Sequence, residues 1–175
     1  DIVSETIDNG GTVVIPSFAV GRTQEILYEL NKIKENRTDE KFRRQYATLM
    51  KAPVYVDSPL AISATQIFRD NMELFDEDTK SRISMGDNPL EFPGLRFAQT
   101  ADESKLLNEN PEPSIIISAS GMCEVGRIKH HLKHHLWEPN STVLFVGYQA
   151  PGTLGYSIVN GAEAVKIFGE EINVN

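Results

Sequence analysis

Small and hydroxyl-bearing residues follow four short apolar runs of the chain, and their types suit the binding of an anion. The four segments are residues 16–18, 57–59, 118–121 and 147–149. Hydroxyls, backbone N–H groups and helix N-termini are the groups that proteins use to bind phosphate. Because the carboxyl ends of parallel strands lie along one edge of a sheet, we expect the four segments to meet there.

Three more candidate phosphate ligands lie just downstream of these turns: two arginines and one threonine, namely Arg22, Arg127 and Thr153. The guanidinium group is a strong partner for phosphate, and hydroxyls and backbone N–H groups add to it. We therefore predict an anion site at the ends of the strands. The serines predicted to contribute from the turns are Ser17, Ser58 and Ser120. The alternative for each serine is that it only caps a helix.

Four histidines lie in one predicted helix and form two pairs at the spacing i, i+4, namely His130 with His134 and His131 with His135. This spacing can bind zinc on a helix face, but the zincin pattern requires glutamate at the position of His131. The chain has no second cysteine that could bind the metal, and the sequence does not identify a third zinc ligand. Packing beside the apolar stripe is the alternative for His131 and His135, and contact with a polyanion is the alternative for the other pair.

Asp57 follows a predicted strand and precedes a predicted helix. A carboxylate at such a place can act as a general base or metal ligand, or it can accept hydrogen bonds from neighbouring turn N–H groups. We favour the second interpretation, because no other carboxylate or histidine is adjacent in sequence. A self-contained metal-dependent hydrolase that uses Asp57 with His130 and His134 is the competing hypothesis.

Composition is typical of a globular protein: 175 residues, of which 40% are hydrophobic and 24% charged. The net charge of −8 means that nucleic-acid binding would require a local group of cations. No apolar run approaches the roughly 20 residues of a membrane span, so we expect no membrane association. The single cysteine, Cys123, permits no intrachain disulfide, which favours a reducing, cytoplasmic location and a bystander thiol.

Apolar runs of β-branched residues alternate with segments whose apolar residues recur at helical spacing. We predict strands at residues 12–18, 54–56, 95–98, 114–118, 143–146 and 165–168, the last of which residues 170–174 extend across a bend. This alternation predicts an α/β fold with a mainly parallel, open sheet flanked by helices, formed by a single domain over residues 1–175. The chain lacks an initiator methionine, and we expect it to be a segment of a larger protein.

Local signals also predict where several elements begin and end. Ser58 followed by Pro59 marks a helix start, and Thr100 with Glu103 has the spacing of a capping box. Thr38 is a candidate N-cap for a surface helix within residues 34–51. Pro16 lacks an N–H donor, so we expect the pairing of the first strand to end there.

Four segments together resemble the β-CASP domain, a Rossmann-like cassette inserted into the metallo-β-lactamase fold of RNA-processing nucleases. They are residues 15–30 (IPSFAVGRTQEILYEL), 56–61 (VDSPLA), 118–122 (SASGM) with 126–127 (GR) and 130–132 (HHL), and 146–155 (VGYQAPGTLG). The match runs in order along nearly the whole chain. It is specific for the family, which includes polyadenylation cleavage factors and related bacterial and archaeal ribonucleases.

The resemblance implies a ribonuclease in which two zinc ions activate a water to attack an RNA phosphodiester. In the family the zinc ligands belong to the metallo-β-lactamase half, so this segment is expected to hold no metal or other cofactor and to be inactive alone. Its implied role is to cap the active-site cleft and hold RNA. The implied partners are RNA and the metallo-β-lactamase domain of the same chain.

The resemblance also assigns site residues, since six positions fall on motif positions that face the cleft. They are Ser17, Arg22, Ser118, Ser120, Gly121 and Gln149. Tyr156 stands where the family often has arginine, which removes one cation, and it either stacks on a base or packs. A third hypothesis is a protein-interaction or homodimerisation module.

Overall fold

Within residues 1–35 and 39–175, which the computed structural model describes, five parallel strands form the main sheet. They are β1 (Val13–Pro16), β2 (Val54–Val56), β3 (Leu95–Phe97), β4 (Ile115–Ser118) and β5 (Thr142–Val143). Their order across the sheet is β3-β2-β4-β1-β5, and all the pairs are parallel. The predicted α/β fold with a parallel open sheet is confirmed.

Helices cover both faces of this sheet. They are α1 (Ile2–Asp8), α2 (Arg22–Lys34), α3 (Glu40–Gln45), α4 (Ala47–Lys51), α5 (Pro59–Asp70), α6 (Glu77–Ser84), α7 (Ala101–Glu109), α8 (Ile128–His135) and α9 (Leu154–Val159), with a 3₁₀ turn at Met72–Leu74. None of the described helices is long and apolar enough to cross a membrane.

The central strands β1, β2 and β4 are buried along their whole length because side chains on both faces are covered. On one face Val13, Ile15 and Ile117 pack with apolar residues of α1, α2 and α5. On the other face Val14 packs with Ile128 and other residues of α8. The continuous β-branched runs in the sequence are the signal of this two-sided burial.

Helix starts agree with the local sequence signals. The Ser58 hydroxyl accepts a hydrogen bond from the Ala61 N–H at 3.2 Å, and Pro59 is the first residue of α5. Thr100 and Glu103 form the predicted capping box of α7. These caps fix the helices that leave β2 and β3 at the carboxyl edge of the sheet.

The segment after α2 differs from the predicted single surface helix. It forms two short helices, α3 and α4, and α3 is capped by the Asp39 carboxylate, which accepts from the Phe42 N–H. The candidate N-cap Thr38 lies outside the described residues. Lys34 is buried and donates to the Met50 carbonyl of α4 at 3.1 Å, so it supplies a partner to the last turn of that helix.

Strand β5 is shorter than predicted for a reason that lies in its neighbour. Leu144 N–H donates to the Val14 carbonyl at 2.9 Å, and the next ladder bond would require an N–H from Pro16, which proline lacks. The pairing of β1 with β5 therefore ends at Pro16, as predicted, whereas on the β4 side the Ser17 N–H still donates to the Ser118 carbonyl. Leu144 and Val146 still pack against the core.

The last two strands, β6 (Ala164–Ile167) and β7 (Glu170–Asn173), form an antiparallel hairpin separate from the main sheet. The prediction that residues 170–174 extend the preceding strand is wrong. Phe168 and Gly169 both have positive φ, 51° and 85°, and two such residues reverse a chain in a tight hairpin turn. Val165 and Ile167 pack on the same apolar cluster as α8.

Candidate nucleic-acid interface

Three of the predicted turns lie side by side at the carboxyl edge of the sheet. Pro16 pairs with Ser118 in register, and the Ser17 N–H donates to the Ser118 carbonyl at 3.0 Å. On the other side of β4, the Asp57 N–H donates to the Ile117 carbonyl at 2.8 Å. The parallel pairing of β1, β4 and β2 therefore brings the three strand-end turns together, as the sequence predicts.

The fourth turn joins the same edge through its side chains and backbone. Gln149 Nε2 donates to the Gly121 carbonyl at 2.9 Å, and the Gly155 N–H donates to the Met122 carbonyl at 3.1 Å. Gly121 also lies against Phe18, because a Cβ built on Gly121 would be 3.1 Å from the phenylalanine ring. We call residues 17–22, 119–127 and 147–155 the rim loops.

The predicted hydroxyl ligands are used inside this structure. Ser17 is buried and accepts from the Thr23 hydroxyl at 3.1 Å, and Ser118 donates to the Asp57 carbonyl at 2.7 Å. Ser120 Oγ accepts from the N–H groups of Glu124 and Val125.

Helix capping accounts for two more of the predicted hydroxyls. Ser58 caps α5, and Thr153 caps α9 by accepting from the Tyr156 N–H. Ser17 and Ser120 cap no helix, so helix capping is the role of Ser58 but not of the other two turn serines. The hydroxyls thus give the rim loops their shape, and phosphate contacts would come from groups that remain exposed.

Arg127 is held below the rim by a buried carboxylate. Its Nη1 lies 2.7 Å from Asp57 Oδ1 and donates to the Ala98 carbonyl at 2.9 Å, while Nη2 donates to the Gln99 carbonyl at 2.9 Å. The carboxylate of Asp57 is completely buried. The guanidinium therefore joins the ends of β2 and β3 to the loop before α8.

Asp57 makes two further hydrogen bonds in the same network. Its Oδ2 accepts from the Ser104 hydroxyl at 2.5 Å and lies 2.6 Å from His131 Nε2. His131 Nδ1 lies 2.7 Å from Asn108 Oδ1, so both ring nitrogens have a hydrogen-bond partner. Desolvation raises the pKa of the Asp57 carboxyl, but the hydrogen bonds from His131, Ser104 and Arg127 outweigh it and hold the pKa below its usual value.

The prediction that Asp57 accepts hydrogen bonds from neighbouring turn N–H groups is wrong. Both of its carboxylate oxygens are bonded to side chains, those of Ser104, Arg127 and His131. The sequence carried a signal for this network. A carboxylate directly after a buried strand and a histidine on the apolar face of α8 are both forced inside, and buried ionisable groups must find partners. His131 is fully buried, as the packing alternative predicts.

The exposed side chains of the rim loops include the Arg22 guanidinium, the rings of Phe18 and Tyr148, and the Glu124 carboxylate. The Arg22 side chain is 47% exposed, and it forms an ion pair with Glu25 at 2.7 Å, on the surface of α2. Phe18, Tyr148 and Tyr156 are also exposed. A screened surface ion pair contributes little to stability, so Arg22 can exchange its partner for a phosphate.

Histidines and acidic residues do not assemble into a metal site within residues 1–35 and 39–175, where no group of three or more such side chains could hold an ion. Asp57 contacts His131, and not His130 or His134 as the hydrolase hypothesis requires. The His130 ring packs on Phe168, with ring centroids 4.5 Å apart. Burial lowers the pKa of His134. The described residues thus do not fit a catalytic metal.

Cys123 is completely buried within the rim loop that precedes α8. Burial, aided by Glu124, raises the pKa of its thiol to about 12, so the reactive thiolate is scarce at neutral pH. We predict that iodoacetamide at pH 8 leaves the folded protein unmodified and alkylates it fully in denaturant, as measured by intact mass. Rapid alkylation of the native protein would contradict the bystander role.

These features define an α/β domain of the open parallel type with a polar rim at the carboxyl edge of its sheet. The family model of the Beta-Casp domain matches residues 23–158, and the chain belongs to this family. It is 38% identical to Ribonuclease TTHA0252 of Thermus thermophilus over 98% of its own length and 37% of that protein's.

Two further relatives show the same pattern of coverage. The chain is 36% identical to the RNase J-like protein of Methanocaldococcus jannaschii, covering 98% of itself and 36% of that protein. It is 32% identical to the transcription termination factor FttA of Methanosarcina mazei, covering 97% of itself and 25% of that protein. The chain therefore spans only about a quarter to two-fifths of the length of these relatives.

Proposed function

We propose that this chain is the RNA-holding domain of a metal-dependent ribonuclease whose catalytic centre is formed by a metallo-β-lactamase domain of the same longer protein. The observation that supports the proposal is that Phe18, Gly121 and Gln149 meet at one edge of the sheet in a member of the Beta-Casp family, with Arg22 close behind Phe18 at the start of α2. The names of two relatives describe ribonucleases, which supports RNA as the ligand.

The rim has the groups that unpaired RNA needs. Arg22 supplies a cation that can bind a phosphate, and the exposed rings of Phe18 and Tyr148 offer faces on which bases can stack. Arg22 is the local cation that nucleic-acid binding requires in a chain whose net charge is −8. Tyr156 is partly exposed, so it can stack on a base in place of the cation that the family often carries.

The metal is proposed to be held by residues outside this chain, as zinc ions, and its chemistry would be the activation of a water for attack on the phosphodiester. The contribution of this chain is positional. Hydrogen bonds between the rim loops fix the place of Gly121 and Gln149 before RNA arrives, which lowers the entropy cost of holding the phosphodiester for attack. The homodimer and the cytoplasmic location remain predictions.

A substitution of Arg22 tests the proposal in the complete protein. Arg22→Gln is expected to weaken binding of single-stranded RNA about three- to tenfold, because one charge-assisted contact is lost. The dependence of log affinity on log salt should fall by about 0.7, the value for one phosphate contact on a single strand. Binding is measured by fluorescence anisotropy in EDTA, which prevents cleavage, and metal content is measured separately on untreated protein.

Arg44→Gln is the matched control for this experiment. Arg44 is also a surface arginine paired with a glutamate of its own helix, Glu40 at 3.5 Å, and it lies on α3 away from the rim. The control should bind RNA like the unaltered protein. Equal RNA affinity and equal salt dependence in the Arg22 and Arg44 variants would refute the proposed role of the rim, whereas an altered metal content would show that Arg22 acts elsewhere.

A further inference from the structure

The turn of the β6–β7 hairpin carries an exposed aromatic residue where the backbone favours a small polar one. Phe168 has φ of 51° and is about half exposed, and Gly169 follows with φ of 85°. Two-residue hairpin turns with positive φ at both positions prefer Asn-Gly, Asp-Gly or Gly-Gly. A phenylalanine in left-handed backbone is a local exception, and such exceptions occur most often where function requires the side chain.

The ring of Phe168 is held in place by the exposed face of α8. The His130 ring lies 4.5 Å away, tilted by 35°, and Lys129 Nζ lies 5.3 Å from the centroid of the phenylalanine ring. An ion pair of 2.7 Å between Lys133 and Glu170 ties the hairpin to the same helix. The result is a positioned aromatic surface with an ammonium group beside it.

A groove of about 470 Å³ begins at Lys129, beside this surface, and reaches the rim loops. Its lining includes Lys129 of α8, Lys166 of β6 and Thr153 of the rim loops. Glu124, the one carboxylate among the lining residues, accepts a hydrogen bond from the Leu154 N–H at 2.5 Å. Neither Lys129 nor Lys166 forms an ion pair with an acidic side chain of the described residues, so the lining carries two positive charges against the one negative charge of Glu124.

We infer that Phe168 and His130, together with Lys129 and Lys166, form a second contact for single-stranded RNA, in continuation of the rim. The inference rests on the proposed function of the rim. A base stacks on the exposed part of the Phe168–His130 surface, and the phosphate that follows it binds the two ammonium groups of the groove. Lys133 is held by Glu170 and is not part of the contact. The surface binds without base specificity, because every base has a face that can stack.

Phe168→Asn tests the stacking contact without damage to the fold. Asparagine is preferred at a hairpin position with positive φ, so the variant should unfold at the same or a higher urea concentration. We expect its affinity for a single-stranded RNA of about 12 nucleotides to fall roughly tenfold, the effect of one lost base–aromatic stack. Affinity for inorganic polyphosphate, which has charge but no bases, should be unchanged. Both are measured on the complete protein by anisotropy and competition in EDTA.

Lys129→Gln and Lys166→Gln test the ammonium groups of the groove. Each should weaken binding of both RNA and polyphosphate, and each should reduce the salt dependence of RNA binding by about 0.7. Lys41→Gln is the control, because Lys41 is an exposed lysine of α3, away from the groove, and it should alter neither. Lysine variants that behave like this control would overturn the phosphate contact.

The same assay separates this inference from the proposed function. If Arg22→Gln weakens RNA binding and Phe168→Asn does not, Phe168 only fastens the hairpin or faces another protein surface, and the second contact is refuted while the rim stands. If neither variant weakens binding, both proposals fail. If Phe168→Asn alone weakens RNA binding, the second contact is supported and the assignment of Arg22 is wrong.

Discussion

Replacement of Asp57 by asparagine is expected to lower the free energy of unfolding by about 3–5 kcal/mol, the usual effect of removing one partner from a buried ion pair. The carboxylate is completely buried and lies 2.7 Å from the Arg127 guanidinium and 2.6 Å from His131 Nε2. An amide of the same size fills the space but leaves the guanidinium without its counter-charge. Urea unfolding at pH 7 measures the loss.

The pH dependence of this difference identifies the charge as its cause. The hydrogen bonds from His131, Ser104 and Arg127 hold the pKa of Asp57 below its usual value in the folded protein. A lowered folded-state pKa gives stability that is fully present above the unfolded pKa of about 3.9 and is lost as the pH falls through the folded pKa. The part of the stability difference between the native protein and Asp57→Asn that comes from the carboxylate charge should therefore shrink as the pH falls below about 4.

Asp102→Asn provides the matched control for the same chemical change. Asp102 forms an exposed pair with Lys105 at 3.1 Å, with side chains 90% and 74% exposed. Exposed pairs contribute little, so this variant should lose less than about 1 kcal/mol. If the two variants lost the same stability, or if the loss at Asp57 persisted unchanged at acid pH, the buried network would not be the strong link described above.

The architecture was predictable because its signals are local. The β-branched runs of β1, β2 and β4 are buried on both faces, and the periodic apolar residues of the helices supply the cover. Once the strands are parallel, their carboxyl ends must share an edge, so the meeting of residues 17, 57 and 118 follows from chain direction alone. Helix caps such as Ser58 and Thr100 depend only on residues three positions ahead, so the sequence also predicts them.

The roles of individual polar side chains depend on contacts between residues far apart in sequence, so the sequence alone does not predict them. Arg127 and Asp57 are 70 residues apart in sequence, and His131 and Asp57 are 74 apart. They meet only after β2 pairs with β4 and α8 packs on the sheet. Arg127 therefore resembled a free cation in sequence, although the fold uses its guanidinium to bind Asp57 and two carbonyls.

The sequence does not predict the hairpin, because the hairpin turn lacks the usual sequence signal. The residues that reverse the chain are Phe168 and Gly169, and only the second is typical of a two-residue turn. Strand propensity across residues 164–173 is then compatible with one bent strand or with two. The conflict between the backbone preference of phenylalanine and its positive φ at this exposed turn also supports the proposed contact of Phe168 with RNA.

Replacement of Gly126 by alanine is expected to destabilise the protein by about 3 kcal/mol and to weaken RNA binding about tenfold, because it displaces the rim loop before α8. Gly126 has φ of 88°, and a Cβ at this position would be 2.6 Å from the Ala119 carbonyl oxygen. That oxygen accepts a hydrogen bond from the Ile128 N–H at the start of α8. The backbone must therefore move at Ala119, next to Ser120 and Gly121, which hold the rim loops together.

Gly86→Ala separates backbone strain from this close contact. Gly86 has φ of 86°, nearly the same as Gly126, but a Cβ there would meet nothing within 4 Å. It should lose only the roughly 1–2 kcal/mol of a non-glycine residue in the left-handed region and should bind RNA normally. Urea unfolding and RNA anisotropy, the latter at a urea-free condition in which both variants are folded, measure the two effects. Equal losses of stability in both variants would mean that the loop before α8 tolerates movement of Ala119, and normal RNA affinity in Gly126→Ala would remove that loop from the RNA-holding surface.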